Sequence, residues 1–134
     1  MPAAIGLAQL PLVEEFIANR QEYCRYYDAH LADLEELTLF PTDWKDVAPY
    51  IYVARVRDAE ERARLIAHLK ERGVATGIHF LGAHEFSFYR DSRRGDLPVT
   101  EQATGQVLTL PLHPYMDDAT LARVVEGIRS FYRA

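Results

Sequence analysis

The chain has 134 residues, 20 of them acidic and 15 basic, and its net charge of −5 comes from interspersed groups with no basic face, which excludes nucleic acid and anionic lipid as electrostatic partners. No apolar run approaches the roughly 20 residues of a membrane span, and the stretch Met1–Leu7 lacks the basic start and long apolar core of a secretory signal. The single cysteine, Cys24, cannot close an internal disulfide, so the composition points to one soluble domain in a reducing cytoplasm.

Taken in chain order, Ile5, Leu10, Val13, Ile17, Cys24, Tyr27, Leu31 and Leu34 recur mostly at steps of three or four, predicting a long amphipathic helix over Ala3 to about Leu34. Pro11 lacks a backbone donor, so a kink or a fresh helix start is expected there. Tyr23, Tyr26 and Tyr27 at helical spacing read as cover for a subunit interface. Leu39 to Pro49 has loop chemistry. Tyr50–Val56 is β-branched and aromatic and predicts a strand. Asp58 and Glu61 have capping-box spacing, opening a helix that stops at Gly73. Val74 to Ile78 is expected as a short strand. The segment from His79 to Pro98 is an aromatic-rich turn followed by an exposed loop, and Thr100 is expected to cap a short helix ending near Gly105. Val107–Leu110 is the next strand, and Asp117 or Asp118 caps a last helix carrying Leu121, Val124, Val125, Ile128 and Phe131. The expected fold is therefore α+β, a two-layer sandwich of about three strands with helices on one face and a long N-terminal helix. Periodicity alone leaves ferredoxin-like and regulatory ligand-binding domains open.

The densest chemical cluster is Thr76-Gly77-Ile78-His79-Phe80-Leu81-Gly82-Ala83-His84, with Tyr89 and Arg90 beyond it. Imidazoles at a strand end can bond a ligand or take a metal; the plainer reading is one packed and one solvated histidine. Zinc on His79, His84 and His113 is disfavoured by the five-residue histidine step. Cys24 sits on a predicted buried face without a neighbouring histidine, against a nucleophile role. Lysine chemistry has two candidates only, Lys45 and Lys70.

Four blocks follow one another in a telling order: Met1-Pro2-Ala3-Ala4-Ile5-Gly6-Leu7-Ala8-Gln9-Leu10, then Leu69 to Phe80, then Leu97-Pro98-Val99-Thr100-Glu101, then Leu108-Thr109-Leu110-Pro111-Leu112-His113-Pro114. Together they resemble the DegT/DnrJ/EryC1/StrS family of PLP-dependent nucleotide-sugar aminotransferases, which make amino sugars for lipopolysaccharide and antibiotics. Within it, Gly77 to His84 is most similar to the branch that aminates a 4-keto sugar on UDP for 4-amino-4-deoxy-L-arabinose. The commoner family form has Tyr after the first His and Pro two residues before the second, where this chain has Phe80 and Gly82.

The resemblance implies the C-terminal small domain of a fold-type I PLP transferase, with residues 1–34 as the helix that joins a large domain and 35–134 as the α+β small domain. It implies amino transfer from glutamate to a keto sugar through pyridoxal phosphate. The cofactor lysine belongs to the family's large domain, and neither Lys45 nor Lys70 matches its motif, so no catalytic, cofactor-binding or metal-binding residue is assigned to this chain, which is expected to be inactive alone. His79, His84, Phe80 and Tyr89 are the implied substrate-binding residues. A nucleotide sugar is the implied partner. The apolar N-terminal helix adds the expectation of a homo-oligomer. The alternative is a stand-alone nucleotide-sugar-binding or regulatory module that pairs with another chain.

Overall fold

Pro11 divides the N-terminal helical stretch. The computed structural model describes residues 2–133 and has α1 over Pro2–Gln9, a 3-10 turn over Leu10–Leu12, and α2 over Val13–Leu31. The expected apolar face divides at the same place. Ile5, Leu10 and Val13 are exposed and α1 buries nothing, whereas α2 buries Tyr23, Cys24, Tyr27 and Leu31.

Two of the three tyrosines assigned to an interface lie in the chain's own core instead. The Tyr27 hydroxyl donates to the Pro111 carbonyl at 2.9 Å and Tyr23 to Pro114 at 3.4 Å, fastening α2 to the segment after the last strand. Buried phenols need such partners. Directly after Tyr27, the Asp28 carboxylate accepts from Tyr52 at 2.6 Å and from the Trp44 indole.

The sheet is antiparallel in the order β1 (Thr38–Leu39), β2 (Tyr52–Arg55) and β3 (Val107–Leu110). It has three strands, as expected, but not the expected three. Val74 to Ile78 meets β3 at one residue only, where Gly77 and Thr109 exchange backbone hydrogen bonds of 3.0 and 2.8 Å. The cause is the preceding helix end. Gly73 adopts φ 72°, Val74 N bonds back to Leu69 O at 2.9 Å, and the buried Val74 keeps the segment tied to the helix before it can run beside β3. The third strand is Thr38–Leu39, too short for periodicity to reveal.

Register explains the core. Tyr52 pairs with Leu110 and Ala54 with Leu108, and alternation puts all four on one face, where they meet Leu31, Leu65, Leu69, Val124 and Ile128 from the helices. α3 (Ala59–Glu71) is capped by Asp58, which accepts from Glu61 N at 2.8 Å. Only this half of the capping box forms, because the Glu61 side chain is buried and approaches Arg57 Nε at 3.5 Å. α4 (Pro98–Gln106) starts with proline at its first turn and not with a Thr100 cap. α5 (Asp118–Tyr132) is capped by Asp117, which accepts from Thr120 N at 2.8 Å, and packs on α2 and α3.

Candidate functional site

Leu108 and Leu110 face the core, so Thr109 between them belongs to the opposite face of β3, yet it is only 5% exposed. The His79 imidazole lies against it, with Nδ1 3.0 Å from Thr109 Oγ1. Beneath the ring lies Gly77, where an added Cβ would fall 2.7 Å from His79 Cε1. Any side chain at position 77 would push the imidazole away. Phe80 meets the ring edge-on at a centroid distance of 4.8 Å and remains 67% exposed. Beside His79 a shallow depression is lined by Tyr50, Ile51, Thr76, Gly77, Thr109 and Leu112.

His84 repeats the same construction in a different setting. It lies in a 3-10 turn over Ala83–Glu85 with its ring on Gly82, where a Cβ would fall 2.5 Å from Cε1. Gly82 N donates to the buried Thr104 Oγ1 of α4 at 3.0 Å. His84 Nε2 is buried, has no hydrogen-bond partner among the described residues and lies 3.7 Å from Glu101 Oε1, beyond bonding distance. Tyr89, in the following turn over Ser87–Tyr89, is 45% exposed and stacks edge-on with Phe88. The structure thus brings His79 and Phe80 together beside the depression, seats His84 against α4, and leaves Tyr89 on the surface, where it does not line the depression.

The other candidates separate from this cluster. His113 is exposed, its Nδ1 accepting from Tyr115 N at 3.4 Å, and among the described residues no three His, Cys, Asp or Glu side chains gather as metal ligands, so the three-histidine zinc arrangement is not assembled. Burial, with a smaller contribution from the Asp28 charge, pushes the Cys24 thiol up to about 12, which leaves no thiolate to act as a nucleophile. Lys45, in an exposed turn capped by Asp43, and Lys70, on the exposed side of α3, do not line the depression. A lysine that links to a carbonyl cofactor is commonly desolvated, whereas both of these are exposed.

Sequence reasoning missed Thr109. Its signal was a polar residue between two leucines in a strand, which the period-2 rule assigns to the second face of the sheet.

Comparison with solved structures defines the class. TlmJ, an aminotransferase from Streptoalloteichus hindustanus, matches with TM-score 0.88 and 31% identity over 98% of this chain and 36% of TlmJ. DesV from S. venezuelae, solved in complex with a ketimine intermediate, matches with TM-score 0.87 and 26% identity over 98% of this chain and 36% of DesV. CalS13, a sugar aminotransferase from Micromonospora echinospora, matches with TM-score 0.81 and 26% identity over 95% of this chain and 34% of CalS13. The chain therefore spans about a third of the length of the solved structures it matches. The model of the DegT/DnrJ/EryC1/StrS aminotransferase family matches residues 1–129, and the chain belongs to that family.

Proposed function

We propose that this chain is the C-terminal, substrate-side domain of a pyridoxal-phosphate-dependent aminotransferase that moves an amino group from glutamate to a nucleotide-linked keto sugar, and that it does not turn over alone. The observation that carries the reading is the His79 imidazole, held on Gly77 and Thr109 at a depression on the sheet face away from the packed helices. Such a ring can bind and orient a sugar oxygen, while Tyr50, Ile51 and Leu112 supply an apolar border beside it. Phe80 adds an exposed aromatic edge, and His84 and Tyr89 contact more distant parts of the ligand when the surrounding structure is complete. The cofactor is held by the large domain that longer family members carry, and α1 joins the two, with residues 1–34 as the link and 35–134 as the small domain. The sequence from Gly77 to His84 supports the branch acting on a UDP-linked 4-keto sugar in lipopolysaccharide synthesis. A homodimer and a cytoplasmic setting complete the reading.

The test is a chimaera in which this chain replaces the matching C-terminal third of CalS13. Glutamate-dependent amination of a keto sugar is expected in the chimaera, with kcat/KM lowered about 10- to 100-fold by His79→Ala, the loss of one or two charge-free contacts to the substrate. The isolated chain is expected to stay colourless after dialysis from pyridoxal phosphate. Cofactor absorbance surviving dialysis, or a chimaera indifferent to His79→Ala, overturns the proposal.

A further inference from the structure

We propose that Thr109 is a positioning residue for His79: its hydroxyl fixes the imidazole in the tautomer that carries its proton on Nε2, so the ring presents a donor to an oxygen of the ligand. The inference rests on the reading that His79 faces substrate, but the tautomer follows from Thr109 alone.

Thr109 is 5% exposed although it lines the depression, so water competes poorly for its hydroxyl proton. Leaving a buried donor unpaired is costly. Among the described residues the only partner of Thr109 Oγ1 is His79 Nδ1, at 3.0 Å. If Nδ1–H donated to Oγ1, the hydroxyl proton would have no partner among the described residues. The hydroxyl therefore donates, Nδ1 accepts, and the neutral ring must carry its proton on Nε2. Nε2 has no partner among the described residues, and the ring borders the depression.

The anchor itself is rigid. Thr109 exchanges both backbone hydrogen bonds with Gly77, and Gly77 is also the surface on which the ring rests. One residue pair thus sets both the height and the rotation of the imidazole. A fixed Nε2–H selects carbonyl, hydroxyl or phosphate oxygens and rejects a ligand ammonium at that point.

The experiment is nitrogen-15 NMR of the imidazoles of the whole chain at about pH 8, where histidine is ordinarily neutral. His79 is expected to show a protonated Nε2 and an unprotonated Nδ1. Thr109→Val, which keeps the shape and removes the hydroxyl, is expected to give a mixture of tautomers, and Thr109→Ser to restore the single form. His68, whose Nε2 lies 3.1 Å from Gly127 O and 3.0 Å from Ser130 Oγ, reports that the fold is intact. Should Thr109→Val lose that signal by unfolding, the wild-type and Thr109→Ser spectra decide. A proton on Nδ1 in the wild type, or a Thr109→Val spectrum with Nε2–H undiminished, overturns the proposal. A fixed Nε2–H beside a chimaera indifferent to His79→Ala would sink the substrate reading and leave this one standing.

Discussion

Gly77 and Gly82 each carry an imidazole two residues ahead of them in sequence, and each leaves no room for a Cβ beneath the ring. Gly77→Ala is expected to expel His79 from Thr109 and to cost about 1–3 kcal/mol, the usual range for overpacking; urea denaturation gives the energy and the His79 imidazole spectrum the displacement. An unchanged spectrum would show that the ring tolerates a methyl group. Cys24 makes a second test. Its thiol is held neutral up to about 12, first by burial and then by the Asp28 charge, so its contribution to stability is full below the unfolded thiol pKa of about 8.5 and fades as pH climbs through the folded value. A thiol reagent at about pH 8 is expected to label Cys24 only once denaturant has opened the chain; rapid native labelling would contradict the burial. The histidines were legible in the sequence because two imidazoles in nine residues are conspicuous. Thr109 was not, because its importance depends on a bridge to Gly77, a residue distant from it in the sequence.

Among the elements, helices were easier to read than strands. The stops at Pro11 and Gly73 and the caps at Asp58 and Asp117 act through neighbouring residues, and all of them operate in the structure. Strand membership depends on which segments meet: Val74 to Ile78 has the composition of a strand but is tied to the end of α3, while the two-residue β1 has a partner and no pattern. Two contacts on α5 yield predictions. An alanine Cβ at Gly127 would lie 2.8 Å from Cδ2 of the fully buried Leu69. The helix-propensity gain of up to about 1 kcal/mol from Gly127→Ala is expected to be outweighed by overpacking, for a net loss of about 1 kcal/mol in urea melts; a gain in stability would show that Leu69 can yield. Past the end of α2, Asp33 takes two hydrogen bonds of 2.6 Å from Arg129, and these bonds hold its carboxyl down to about 2. A lowered pKa favours the folded state above the unfolded carboxylate value of about 3.9, and the benefit disappears as pH falls through the folded value. Asp33→Asn should therefore flatten the stability curve between about pH 4 and 2, read from midpoints of thermal melts, and an unaltered acid limb would show the pair to be without effect.

At the scale of the whole molecule, the α+β class and the number of strands could be read from the order of elements, and the resemblance of four sequence blocks is matched by the family model over residues 1–129. The exposed apolar groups of α1, Ile5 and Leu7 at 56% and 70%, stand beside the equally open Leu10. Patches of this kind favour association. Light scattering of the wild type at high concentration is expected to show a dimer or larger species, and Leu7→Asp with Leu10→Asp to shift it toward monomer; a monomeric wild type would count against the homo-oligomer. The break at Pro11 has a further consequence, because among the described residues none before Tyr23 belongs to the hydrophobic core. The molecule has a natural severing point. A chain beginning at Val13 would keep every core side chain and lose only the handle, so folding and association could be measured as two separate properties of one sequence.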